Sequence, residues 1–270
     1  MNALSRLLLY VTPILYLSAS ICYFKGSRNK RIVQTAFALS VIAFVFNLSV
    51  LVIRAIEAGR LPLANGSEFL LGFVCTTVLM YLIYQMKTKT GNVGGMVTLM
   101  ASLLLLSVAI LTPDQLEYVS PLLPALKSPW LAIHVLSAVT AYSGFTLAAG
   151  LALFQLTRTN SFGEEDNVYK VVATAFALLS LSIVSGAVWA EQVWGNYWSW
   201  DPKETWSLAT WIVYALYLHL RWRRGWKGKN ANILVVVGFV LILFTFFGVN
   251  YLLPGLHSYA LKSAVQIWIA

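Results

Sequence analysis

"IVQTAFALSVIAFVFNLSVLVIR", residues Ile32 to Arg54, carries no charge before its last position. A segment this apolar and more than about 20 residues long matches the ~30 Å hydrocarbon core of a bilayer, where a helix lets one stretch of backbone satisfy its own N–H and C=O groups. Working outward, further apolar runs occur at about 5–24, 69–86, 94–112, 130–157, 171–190, 205–221 and 232–251, and with 32–54 they predict eight spans. The whole chain agrees, with 59% hydrophobic and 11% charged residues and a mean hydropathy of +0.74. The expected fold class is therefore all-α: a polytopic integral membrane protein of about eight transmembrane helices, one membrane domain over residues 1–270. The first run, about Leu7 to Phe24, has only Arg6 before it and a basic cluster after it, which reads as a retained helix rather than a signal peptide.

A formal net charge of +9 invites a nucleic-acid partner, but the basic residues sit in short connectors. Those after spans one, three, five and seven hold thirteen of the nineteen cations: Lys25, Arg28, Lys30, Arg31; Lys87, Lys89; Arg158, Lys170; Arg221, Arg223, Arg224, Lys227 and Lys229. By the positive-inside rule these connectors are cytoplasmic, and both termini and the connectors at 55–68, 112–129 and 190–204 face the extracytoplasmic side. Topology, with membrane lipid and no nucleic acid, accounts for the charge. In the outward connectors Glu57, Glu68, Asp114, Glu117 and Glu191 read as solvated acids. Cys22 and Cys75 are expected at different depths, too far apart for a disulfide.

One outward connector is unlike the rest. In "WGNYWSWDPKETW", Trp194 to Trp206, four tryptophans share thirteen positions with a proline and three charged side chains, and residues 189–211 hold six of the ten tryptophans. Indoles gather at membrane interfaces, so an aromatic belt explains them in part. Their crowding also suits a planar ligand, and a helix beginning at Pro202 offers unpaired N–H groups to an anion. Asp201, Pro202 and Glu204 separately form a capping-box pattern for span seven. Spacing alone leaves belt and platform both open.

The stretch "WAEQVWGNYWSWDPKETWSLATW" resembles the tryptophan-rich (WWD) signature of the haem-handling membrane proteins of cytochrome c biogenesis, and "FFGVNYLLPGLHSYA" resembles the end of the CcsA (ResC-type) branch, the membrane subunit of the system II cytochrome c synthase. "SPWLAIHVLSAVTAY" and "RLPLANGSEFL" also fit. The resemblance implies haem transport or presentation and covalent attachment of haem to apocytochrome c, within a holocytochrome c synthase complex that includes a CcsB-type partner. The implied localisation is the bacterial inner membrane or the thylakoid membrane, with the active site on the periplasmic or lumenal side. Haem b is then the bound substrate, and Trp194, Trp198, Trp200, Asp201 and Trp206 are its candidate contacts.

The three histidines divide by position. His134 lies four residues, about 6 Å, beyond Trp130 at the outer end of span five, and His257 follows span eight on the same side. A histidine in an apolar helix is ordinarily a hydrogen-bonded packing residue, but two imidazoles flanking an aromatic surface suit the axial positions of a haem iron. The resemblance assigns them that role. His219 stands 18 residues beyond Asp201, about 27 Å along one helix, too far for an outer-face haem. It is either an interfacial residue beside Arg221 or a ligand of an inner haem site, whose second histidine a partner must supply. Arg54, Arg60 and Lys203 are cations near the outer face, either snorkelling anchors or propionate partners.

No carboxylate pair, nucleophile triad or phosphate loop stands out. The expected chemistry is positional: the thiols come from a CxxCH segment of apocytochrome c, and this chain holds haem with its vinyl edge reachable. The alternatives are a haem chaperone similar to CcmC, which serves a separate carrier, and a non-enzymatic membrane regulator similar to HemX. Eight spans and the "GLHSY" ending weigh against the first, the full tryptophan signature against the second.

Overall fold

A computed structural model describes residues 1–26, 29–88, 93–112, 114–119, 122–157 and 165–253. Among them the regular structure is helical throughout. The long helices are α1 (Ala3–Lys25), α2 (Lys30–Ala58), α3 (Gly66–Thr88), α4 (Val93–Leu111), α6 (Pro129–Leu156), α7 (Glu165–Trp194), α8 (Pro202–Arg224) and α9 (Lys229–Leu243). The last continues through a π-helical turn, Phe244–Gly248, into the single-turn α10 (Val249–Leu252). A short α5 (Asp114–Glu117) and a 3-10 turn (Pro124–Leu126) interrupt the connector before α6.

Each expected span coincides with one long helix, and seven of these helices are long and apolar enough to cross a membrane. The exception is α8. Tryptophans, tyrosines, His219 and terminal cations dilute its hydropathy, and its buried residues Glu204, Thr210, Tyr214, Tyr217 and Arg221 recur at helical spacing. These five polar residues therefore share a face that meets protein, where hydrogen-bond partners exist and lipid does not.

The chain forms two compact units, one of Met1–Leu122 with Leu153–Thr159, the other of Leu123–Ala152 with Asn160–Ala270. In the first, α1 packs on α2 and α4, and α3 packs on the same two helices. Cys22 and Cys75 are free thiols. The acids and cations at one end of this unit depart from expectation. Glu68 has no exposed surface and Arg54 only 3%. Arg54 Nε donates to Glu68 Oε1 at 2.9 Å, and its Nη atoms reach the carbonyls of Leu116 at 3.1 Å and Tyr118 at 3.0 Å. Glu68 also accepts from Arg60 Nη1 at 2.9 Å and from the Ala64 N–H at 2.8 Å. Glu68 is thus not a solvated acid, nor Arg54 a snorkelling anchor. Buried charges persist only when paired and hydrogen-bonded, and this pair staples the connector 59–65 to the segment 114–118. Glu57 remains exposed as expected.

In the second unit α6 approaches α7 closely, since a Cβ on Gly144 would stand 2.9 Å from that of Ala175. It meets α8 through Phe145, whose ring stacks on Tyr214 with centroids 3.7 Å apart. The Tyr214 hydroxyl donates to the Val235 carbonyl on α9 at 3.2 Å. These contacts pack α6, α7, α8 and α9 against one another.

Candidate functional site

His134 is half-buried in the second turn of α6, facing α7. Its Nδ1 lies 2.8 Å from the Ser182 carbonyl oxygen. A carbonyl only accepts, so Nδ1 carries the proton and the ring's lone pair is on Nε2. The Ser182 hydroxyl donates to the His134 carbonyl at 3.0 Å and lies 3.1 Å from Nδ1, closing a two-way clasp between the helices. One turn further along α7 stands Gly186, where a Cβ would sit 2.6 Å from Nδ1. The imidazole occupies the space that any side chain at 186 would take.

Trp189 follows Gly186 by three residues and Trp194 by eight, about 4.5 and 12 Å along α7. Trp189 is buried, its Nε1 donating to the Ala125 carbonyl at 2.9 Å, and it meets Trp194 edge-on at 5.0 Å between centroids. Trp211 donates from Nε1 to the Ser180 hydroxyl at 2.8 Å. These two indoles of the six are built into helix packing. Trp206 lies against Phe244 of the π-helical turn, centroids 4.4 Å apart.

The connector itself carries Trp198 and Trp200, edge to face at 5.8 Å. Trp200 is 67% exposed and has φ of 59°, the one non-glycine residue in the left-handed region among those described. A β-carbon in that region costs roughly 1–2 kcal/mol, so neighbouring contacts must hold it there. They are local. Glu204 Oε2 accepts from the N–H of Ser199 at 2.8 Å and of Asp201 at 3.1 Å, while Asp201 Oδ1 accepts from the Lys203 N–H at 2.9 Å. This is the capping box legible in "DPKE", and both carboxylates are buried.

The same box alters the anion-binding expectation. The chain's own carboxylates take the Lys203 and Asp201 N–H groups, so these two are not left unpaired for an anion. Burial pushes the Lys203 ammonium down from its ordinary 10.5 to about 8, with the adjacent Asp201 carboxylate opposing the shift. His219 is exposed near the far end of α8. His257 lies outside the described residues. Among the described residues no set of three His, Cys, Asp or Glu side chains comes together as a metal site.

Nothing in the sequence picks out Ser182, Gly186 and Phe244. The first two are small residues four apart, hence on one helix face, but nothing in α7 names the partner they meet.

Residues 1–257 match the family model described as cytochrome C assembly protein. The chain belongs to the cytochrome c assembly protein family. It is 33% identical to the cytochrome c biogenesis protein CcsA of Trieres chinensis, over 96% of this chain and 95% of that protein. It is 35% identical to CcsA of Parasynechococcus marenigrum, over 91% and 92% respectively. Among solved structures, one described as cytochrome c heme lyase CcmF superposes with a TM-score of 0.75 at 17% identity. That match covers 98% of this chain and 49% of the other, a likeness of fold in a chain about twice as long. Membership in the cytochrome c assembly family gives this integral membrane protein a role in cytochrome c biogenesis.

Proposed function

We propose that this protein holds haem b as a substrate at the tryptophan-rich connector and, with a CcsB-type membrane partner, attaches it to apocytochrome c. The observation that carries this reading is the clasp on His134. Histidines that ligate metal characteristically donate their other ring N–H to a carbonyl or carboxylate, which sets the tautomer and aims the ring, and the Nδ1–Ser182 bond is of that kind. His257 is the proposed second axial ligand. Trp194, Trp198, Trp200 and Trp206 supply aromatic surface for the porphyrin, and Asp201 acts by holding the connector in shape. His219, exposed near the other end of α8, is proposed as one ligand of an inner site completed by the partner.

Attachment adds each thiol of a CxxCH segment across a haem vinyl double bond, sulfur to one carbon and hydrogen to the other, with no net transfer of electrons. The contribution of this chain is orientation: fixed iron ligands leave the vinyl edge presented until the substrate histidine displaces one of them. The tryptophan connector and both termini are assigned to the periplasmic or lumenal side of a bacterial inner or thylakoid membrane, which agrees with the cation distribution.

Optical spectra of the protein purified with its partner test this. His134→Ala and His257→Ala should each perturb the reduced haem spectrum, with added imidazole restoring part of it. Spectra identical to wild type would remove both ligand assignments. Haem bound without cytochrome maturation, in cells lacking other maturation systems, would favour the chaperone reading.

A further inference from the structure

The turn joining α8 to α9, "RWRRGWKGKN" from Arg221 to Asn230, has no part in the proposed function above. Its charges are sorted by depth. Arg221 is buried and turned inward, paired with Asp166 at 2.7 Å and donating to the Trp226 carbonyl at 3.3 Å. Arg223, Arg224, Lys227 and Lys229 are all exposed, and Arg223 lies over the ring of Trp222 at 5.8 Å. Trp222, in the last turn of α8, is itself 75% exposed, an indole set among cations just before α9, which with the π-helical turn is long and apolar enough to cross a membrane.

The turn has a defined shape. Gly225 caps α8 in the left-handed region at φ of 57° and donates to the Leu220 carbonyl, and Gly228 opens α9 at φ of 79°. With Arg221 bonded across to Trp226, four exposed cations are gathered on and beside one short turn between α8 and the apolar α9.

We infer that this turn binds the phosphate headgroup of an anionic glycerophospholipid, with Trp222 seated at the boundary between headgroup and acyl chain. Exposed guanidinium and ammonium groups supply charge-assisted donors to phosphate oxygens, and Trp is the side chain best suited to that boundary. Fixing the loop beforehand lowers the entropy lost when a headgroup is captured. Orientation during insertion needs cations in this turn but neither its closure nor an exposed indole among them.

The test is native mass spectrometry and thermal unfolding of the purified full chain with phosphatidylglycerol or phosphatidylcholine added. Wild type should retain phosphatidylglycerol preferentially and melt later in its presence. Arg223→Gln, Arg224→Gln, Lys227→Gln and Lys229→Gln combined should weaken that retention at least about tenfold, since each surface cation contributes a comparable increment. A control removes four exposed cations elsewhere, at Lys25, Lys30, Arg31 and Lys87, and should keep the preference. Equal effects of the two lipids on wild type, or equal losses in the two variants, would overturn the site. Should the fourfold variant fail to fold, Arg223→Gln with Arg224→Gln serves, and unchanged retention there overturns it likewise. Haem is not read in any of these measurements, so the proposed function stands or falls separately.

Discussion

At the scale of single residues, the imidazole of His134 is held by a donor–acceptor pair and by an empty place. Ser182 sets the tautomer through its carbonyl, and Gly186 yields the volume that the ring fills. Gly186→Ala tests both ideas at once. The new methyl would meet Nδ1 at 2.6 Å, so the ring must move and its bond to Ser182 must lengthen. Overpacking of this kind costs about 1–3 kcal/mol. The expected outcome is a lower melting temperature and a reduced haem spectrum shifted toward that of His134→Ala, with imidazole restoring it. An unchanged spectrum in a destabilised variant would mean that the ring's position is irrelevant to the ligand. Trp200 shows the same principle in the backbone, because its left-handed φ of 59° is sustained by the bonds of its neighbours to Glu204.

At the scale of elements, two connectors are organised by buried carboxylates, and their legibility differs. Asp201 and Glu204 cap α8 within four residues of each other, so the pattern is visible in the sequence and the structure contains it. Glu68 instead gathers Arg54 from 14 positions upstream, and that arginine reaches carbonyls more than 60 positions downstream. In sequence Glu68 and Glu57 look alike, both acids in one outward connector. In the fold they separate sharply, and stability should follow. Glu68→Ala leaves Arg54 buried without its counter-charge and is expected to cost about 3–5 kcal/mol. Glu57→Ala, at an exposed position, should stay within about 0.5 kcal/mol. Denaturant unfolding of both variants in detergent measures the contrast, and similar values would show that the Arg54 staple carries no weight.

At the scale of the whole molecule, seven helices are long and apolar enough to cross a membrane and one, α8, is not. His219 lies exposed on that helix. If it ligates iron only with a partner's histidine, His219→Ala should leave the melting of the isolated chain within about 0.5 kcal/mol and change the haem spectrum only when the CcsB-type partner is co-purified. A spectral change in the isolated chain would contradict that division of labour. The sequence by itself determined the spans and the α8 cap, because each is local: about 20 apolar residues suffice for a membrane helix, whose backbone bonds to itself, and four residues suffice for a capping box. Only the tertiary structure decided which indoles are packing and which are exposed, which nitrogen of His134 carries the proton, and which acid is buried. Those outcomes depend on how helices far apart in sequence meet, and hydropathy carries no record of the faces they turn to one another.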